Sequence, residues 1–90
     1  MSTARKRVVV HGRVQGVFFR DNTRRQAASR GVAGWVANRP DGAVEAVFEG
    51  EPDAIDSLFR FAQEGPRGAD VEDVEVFDEV PEGLSGFDVR

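Results

Sequence analysis

With 90 residues, 40% of them apolar and 31% charged, the chain has the make-up of one folded domain, residues 1–90, and neither of a disordered tail nor of a fibrous protein. Cysteine is absent and histidine occurs once, at His11, which excludes a disulfide framework, a zinc–thiolate site and a cysteine nucleophile. The net charge of −4 is unevenly spread: residues 1–45 sum to +6 and residues 46–90 to −10, so the first half can hold an anion while the second would repel a long polyanion.

No apolar run approaches the ~20 residues of a membrane span. Arg5-Lys6-Arg7 is followed only by Val8, Val9 and Val10, too short for the core of a signal peptide, and the expected address is the cytoplasm. The β-rich stretch from Arg7 to Val14 predicts a first strand, followed by a glycine-bearing turn, Gln15-Gly16-Val17-Phe18. A helix follows over Phe19 to Arg30 and stops at Gly31. Val32 to Asn38 is a second strand, Arg39-Pro40-Asp41-Gly42 a hairpin turn, and Val44, Ala46 and Phe48 alternate with Glu45 and Glu49 in a third strand with one wet face.

Pro52 fits the first position of a second helix, with Asp53 and Asp56 near the positive end of its dipole and Gly65-Pro66 at its close. Its apolar stripe is read as Ile55, Leu58, Phe59 and Ala62. Val74 and Val76 mark a strand within Val71 to Glu79, and Phe87 with Val89 a short last one. The order predicts an α+β fold: a ferredoxin-like β-α-β-β-α-β sandwich, mainly antiparallel, with both helices on one face of the sheet. Pro81 to Gly86 is short and glycine-rich and leaves the pairing of the last strand open.

Chemistry concentrates in the first strand-to-helix turn, Gly12-Arg13-Val14-Gln15-Gly16-Val17-Phe18-Phe19-Arg20. Glycine lets the backbone bend and approach a ligand closely, and the turn opens a helix whose first N–H groups lack internal partners. Such amides form an anion cradle of phosphate size. Arg20 lies just inside the helix, where its planar fork suits two phosphoryl oxygens. Neither a Walker loop nor a dinucleotide fingerprint is present.

The segment resembles the acylphosphatase signature, G-x-V-Q-G-V-x-F/Y-R, matched at Gly12, Val14, Gln15, Gly16, Val17, Phe19 and Arg20. Seven specified positions give a chance match on the order of 10⁻⁹ per starting point. Gly34-Trp35-Val36-Ala37-Asn38, with Gly42, Val44 and Gly50, resembles the family's other signature at its spacing. The resemblance covers essentially the whole chain. It implies hydrolysis of acyl phosphates to a carboxylate and inorganic phosphate, without metal, cofactor or covalent phospho-enzyme. By the same resemblance Arg20 binds the phosphoryl group, Asn38 positions the attacking water, and the backbone of Gln15, Gly16, Val17, Phe18 and Phe19 completes the cradle.

On its own Asn38 reads as the start of the hairpin turn, and only the family motif turns it into a site residue. His11 reads as a strand residue, Trp35 as a core or edge aromatic, and Asp70, Glu72, Asp73, Glu75, Asp78 and Glu79 as a solvated strand face rather than a metal cluster. Arg24, Arg25 and Arg30 are placed on the wet side of the first helix, from where they could raise the potential near the cradle. A nucleic-acid module shares the fold, but the strands lack the exposed aromatics it needs and the second half is acidic. The other rival is a non-catalytic acylphosphatase-like module that regulates or binds a partner. The expected partner is a small acyl phosphate, with no nucleic acid or membrane, and the expected state a monomer.

Overall fold

The computed structural model describes residues 3–90. Its elements run β1 (Ala4–Arg13), α1 (Phe19–Ser29), β2 (Ala33–Asn38), β3 (Val44–Gly50), α2 (Pro52–Glu64), β4 (Asp70–Glu79) and β5 (Phe87–Val89). They form one five-stranded sheet in the order β4-β1-β3-β2-β5. Three of the four pairings are antiparallel, whereas β5 joins the outer edge of β2 in parallel. This is the expected α+β arrangement, with the open question of the last strand answered. No helix among the described residues is long and apolar enough to cross a membrane.

Alternation along the strands divides the sheet into two faces. Val8, Val10, Val36, Val44, Ala46 and Phe48 pack under the helices, against Phe19 and Ala27 of α1 and Ile55, Leu58 and Ala62 of α2. The stripe of α2 differs from the expected one at one position. Phe61, not Phe59, packs on the core, where its ring lies 5.9 Å from that of Phe19. Phe61 follows Leu58 by three residues and so faces the same way, towards α1.

β1 begins three residues earlier than its valines predict, because charge rather than apolar burial holds its start. On the bare face Arg5 pairs with Glu79 at 2.9 Å and Glu49 at 3.2 Å, and Arg7 with Glu45 at 3.0 Å and Glu79 at 3.3 Å. Arg7 also covers the Phe77 ring, 4.3 Å from its centroid. Further along, His11 Nε2 lies 2.6 Å from Glu75. The acids of β4 stand mostly exposed along the strand, as expected, and among the described residues no group of three could hold a metal ion.

Gly12 proves to lie inside β1, at a register shift against β4. Its φ is +126°, and a β-carbon there would stand 2.2 Å from the Asp70 carbonyl oxygen. Gly34 is equally constrained: at φ +142° a β-carbon would stand 1.8 Å from the Val47 carbonyl oxygen. Both positions accept only glycine.

The connection from β4 to β5 crosses the whole sheet, a step of four strand spacings or about 19 Å. Residues 80–86 give eight peptide steps, about 27 Å when fully extended, so little slack remains. Glu49, 4% exposed, fastens the crossing midway. Its carboxylate accepts the amides of Glu82 (3.2 Å), Gly83 (2.6 Å) and Leu84 (3.2 Å), as well as Arg5 Nη1 (3.2 Å). Burial alone would push this carboxyl up, but the amides and the Arg5 guanidinium outweigh it and hold it below the ordinary glutamate range. A carboxyl depressed in the folded state stabilises it fully above the unfolded value, near pH 4.3, and progressively less as pH falls through the folded value. The parent Tm is therefore expected to fall more steeply between about pH 6 and about pH 3 than that of Glu49→Gln. Equal slopes in scanning calorimetry would remove Glu49 as the origin of the acid sensitivity.

Candidate active site

The site lies at the end of the sheet opposite that crossing, where β1, β2 and β5 finish and α1 begins. Between β1 and α1 the side chains of Val14 and Phe19 are buried and Val17 packs on the core, while Gly16 and Phe18 face solvent. The backbone is left-handed at Gly16 (φ 75°) and at Phe18 (φ 60°, ψ 27°). Left-handed residues separated by an ordinary one turn successive N–H groups towards a common concavity. No backbone carbonyl among the described residues accepts from the amides of Gln15 to Phe19, which precede or open α1. Phe18 is the only non-glycine residue with positive φ among the described residues, a conformation that costs a bulky side chain about 1 kcal/mol. Asn22 secures it, donating both its backbone amide (3.0 Å) and its Nδ2 (2.9 Å) to the Phe18 carbonyl.

The Gln15 side chain does more than the sequence reading gave it. Its Nε2 donates to the carbonyls of Arg39 (2.8 Å) and Ala43 (3.0 Å), the two ends of the β2–β3 hairpin turn. That turn is itself closed by Arg39 N–H to Ala43 O at 2.8 Å and by Ala43 N–H to the Asp41 carboxylate at 3.0 Å. The Ala43 amide, against partial desolvation and helped by Arg39 at 3.0 Å, holds the Asp41 carboxyl below its ordinary value. The hairpin that ends at Asn38 is thus stiff and clasped to the β1–α1 loop.

Arg20 is half-buried in the first turn of α1, and its Nη1 donates to the backbone oxygen of Arg90 at 3.0 Å. β5 delivers that oxygen, since the Arg90 amide bonds to Val36 O at 2.8 Å and its guanidinium stacks on Trp35 at 4.7 Å. One anchored N–H fixes the fork and leaves the other guanidinium donors available. Asn38, exposed at the end of β2, completes a pocket of about 430 Å³ lined by Val14, Gly16, Phe18, Phe19, Arg20, Asp21, Arg24, Asn38 and Val89. Arg20, Asn38, Gly16, Phe18 and Phe19, named from the sequence, therefore share one cavity. Val17 faces the core, and Gln15 reaches the hairpin instead of the cavity. The reading set Arg24 near the cradle but not in its wall, and missed Val89 and Asp21; no local signal marks Val89, because its place depends on β5 pairing across the sheet.

Comparison with known proteins identifies the family and the fold. The family model described as Acylphosphatase matches residues 6–89. An acylphosphatase of Rubrobacter xylanophilus is 61% identical over 89 residues, covering 98% of this chain and 81% of its own. The structure of an acylphosphatase from Coxiella burnetii superposes with a TM-score of 0.94 at 42% identity, over 98% of this chain and 93% of that one. The acylphosphatase from Bacillus subtilis gives 0.93 at 38% identity, over 97% and 98%. With a loop, an arginine and an asparagine meeting in one pocket and a family match over nearly its whole length, the chain belongs to the acylphosphatase family of acid-anhydride hydrolases.

Proposed function

We propose that the protein hydrolyses acyl phosphates by attack of water at phosphorus, with the phosphoryl group held by the amides of Gln15 to Phe19 and by Arg20, and the water oriented by Asn38. The observation that carries this reading is the convergence of Arg20, Asn38 and the left-handed loop on one cavity. In the reaction the water oxygen forms a bond to phosphorus while the bond from phosphorus to the acyl oxygen breaks. Its electron pair leaves with the carboxylate, and the water proton passes to a phosphoryl oxygen.

The leaving carboxylate is a weak base and departs without a proton, so the site needs no general acid. Positioning and charge stabilisation make up most of the catalysis of phosphoryl transfer. Fixed amides and a guanidinium meet the charge that develops on the equatorial oxygens, and because their orientation is set before the reaction they need not reorganise during it. The Asn38 amide is no base at neutral pH, but its oxygen accepts a hydrogen bond from water and aims it in line with the leaving group.

Arg20→Ala is expected to lower kcat/KM for benzoyl phosphate about 10³-fold and to weaken inhibition by inorganic phosphate, because Arg20 holds the phosphoryl group in ground and transition states alike. Asn38→Ala should lower kcat about 10²-fold with KM nearly unchanged. Both are measured with EDTA present, which should leave the parent rate intact. A folded parent that turns over no faster than the spontaneous reaction would overturn the proposal.

The Gln15 side chain touches the hairpin and not the substrate, so the effect of removing it is indirect. Gln15→Ala should cost about tenfold in kcat/KM, since small displacements of positioned groups slow such reactions steeply. Loss of the clasp should also lower Tm, which neither Arg20→Ala nor Asn38→Ala should do to the same extent. Kinetics and thermal melts on the three variants check the split.

A further inference from the structure

A phosphoryl group uses the loop, Arg20 and Asn38, yet the cavity extends past them, where its wall holds the apolar side chains of Phe18 and Val89 beside the paired Arg24 and Asp21. Six large apolar side chains stand exposed among the described residues, and two of these, Phe18 at 78% and Val89 at 43%, line this pocket. Scattered exposed apolar groups are ordinary on a protein surface, but two sharing one concave wall beside an anion cradle are not explained by surface statistics. Nothing in phosphate chemistry calls for them.

The backbone that carries the Phe18 ring is also held in place. Phe18 occupies a left-handed backbone position that asparagine would take more readily, and both donors of Asn22 fix its carbonyl there. A surface loop with no use for the ring would be better served by a small polar residue. Arg24 is the other wall group able to choose among substrates, since a second anion could pair with it. Its guanidinium is already engaged by Asp21 at 3.2 Å, a carboxylate that also pairs with Arg25 at 3.2 Å, and Asp21 lies in the same wall.

We propose that Phe18 and Val89 form the subsite for the acid half of the substrate, and that the protein favours acyl phosphates with an aromatic or extended apolar acid over small or doubly charged ones. The inference rests on the acyl phosphate reading above and deepens it. Phe18 then plays two separate roles: its amide belongs to the cradle, and its ring selects the acyl group. An aryl acid lying along the ring loses water from both apolar surfaces, whereas an acetyl group is too short to cover it.

The test is the ratio of kcat/KM for benzoyl phosphate to that for acetyl phosphate, each corrected for its spontaneous rate. Loss common to both substrates cancels in this ratio, so damage to the cradle does not imitate a change of preference. Phe18→Asn keeps the left-handed backbone and removes the ring, and should lower the ratio about tenfold; Phe18→Tyr should retain it. Val89→Ser should lower it by a smaller factor. A ratio unchanged in Phe18→Asn overturns the proposal, as does a parent preference for succinyl phosphate that disappears in Arg24→Gln. If neither substrate is turned over and inorganic phosphate does not bind, the underlying acyl phosphate reading fails first.

Discussion

The Gln15 side chain, with its two hydrogen bonds to the carbonyls of Arg39 and Ala43, clasps the β1–α1 loop to the β2–β3 hairpin beyond the last pair of the β1–β3 ladder, Val10 with Val44. On one side of the clasp lie the left-handed loop and the start of α1; on the other, the hairpin that carries Asn38. Neither half makes a site alone. On the proposed reading, the loop without the hairpin is an anion cradle with no group to aim a nucleophile, and the hairpin without the loop is a solvent-exposed asparagine. Because a hydrogen bond depends steeply on distance and direction, two of them from one planar amide fix both spacing and tilt. The burial of Val14, Val17 and Phe19 beneath the loop then transmits that placement to the core.

The uneven charge of the chain is used differently from what its two halves imply. The basic first half carries the loop and Arg20 proposed to hold the anion, but Arg5, Lys6 and Arg7 are occupied elsewhere. They face acids of β3, β4 and the crossing loop, so much of the opposite charge of the two halves is matched locally across the sheet. What remains beside the pocket is Arg20, together with Arg24 and its partner Asp21. The same acids along the exposed edge strand β4 discourage a further strand from adding there.

Much of this was legible in the sequence because the signals are local. Period-two alternation marks β3, the proline and glycine that bracket α2 mark its ends, and the two family signatures, one ending at Arg20 and the other carrying Asn38, bring those residues together through resemblance. What escaped the sequence depends on partners far along the chain. The charged start of β1 looks like a soluble terminus until Glu79 and Glu49 are set opposite it. Phe61 displaces Phe59 because α1 lies beside α2, which no helical periodicity reveals. Gly34 reads as a motif letter until the Val47 carbonyl stands against it. Val89 and the Arg90 oxygen enter the pocket only through a parallel pairing on the far edge of β2.

The sheet order also sets how the chain must reach this state. β1 is synthesised first, yet it lies in the interior of the sheet between β4 and β3, with Arg5 opposite Glu79 and Val10 opposite both Val74 and Val44. Closing such a pair means ordering a loop of some seventy residues before the contact repays its entropy. Local elements such as α2 and the β2–β3 hairpin can form early, but the interior strand has to be paired on both of its edges by segments that lie later in the chain. Folding is accordingly expected on the slower, millisecond-to-second side of the range for mixed domains of this size. The pocket shares that delay, because its loop leaves β1 and its wall arrives with β5.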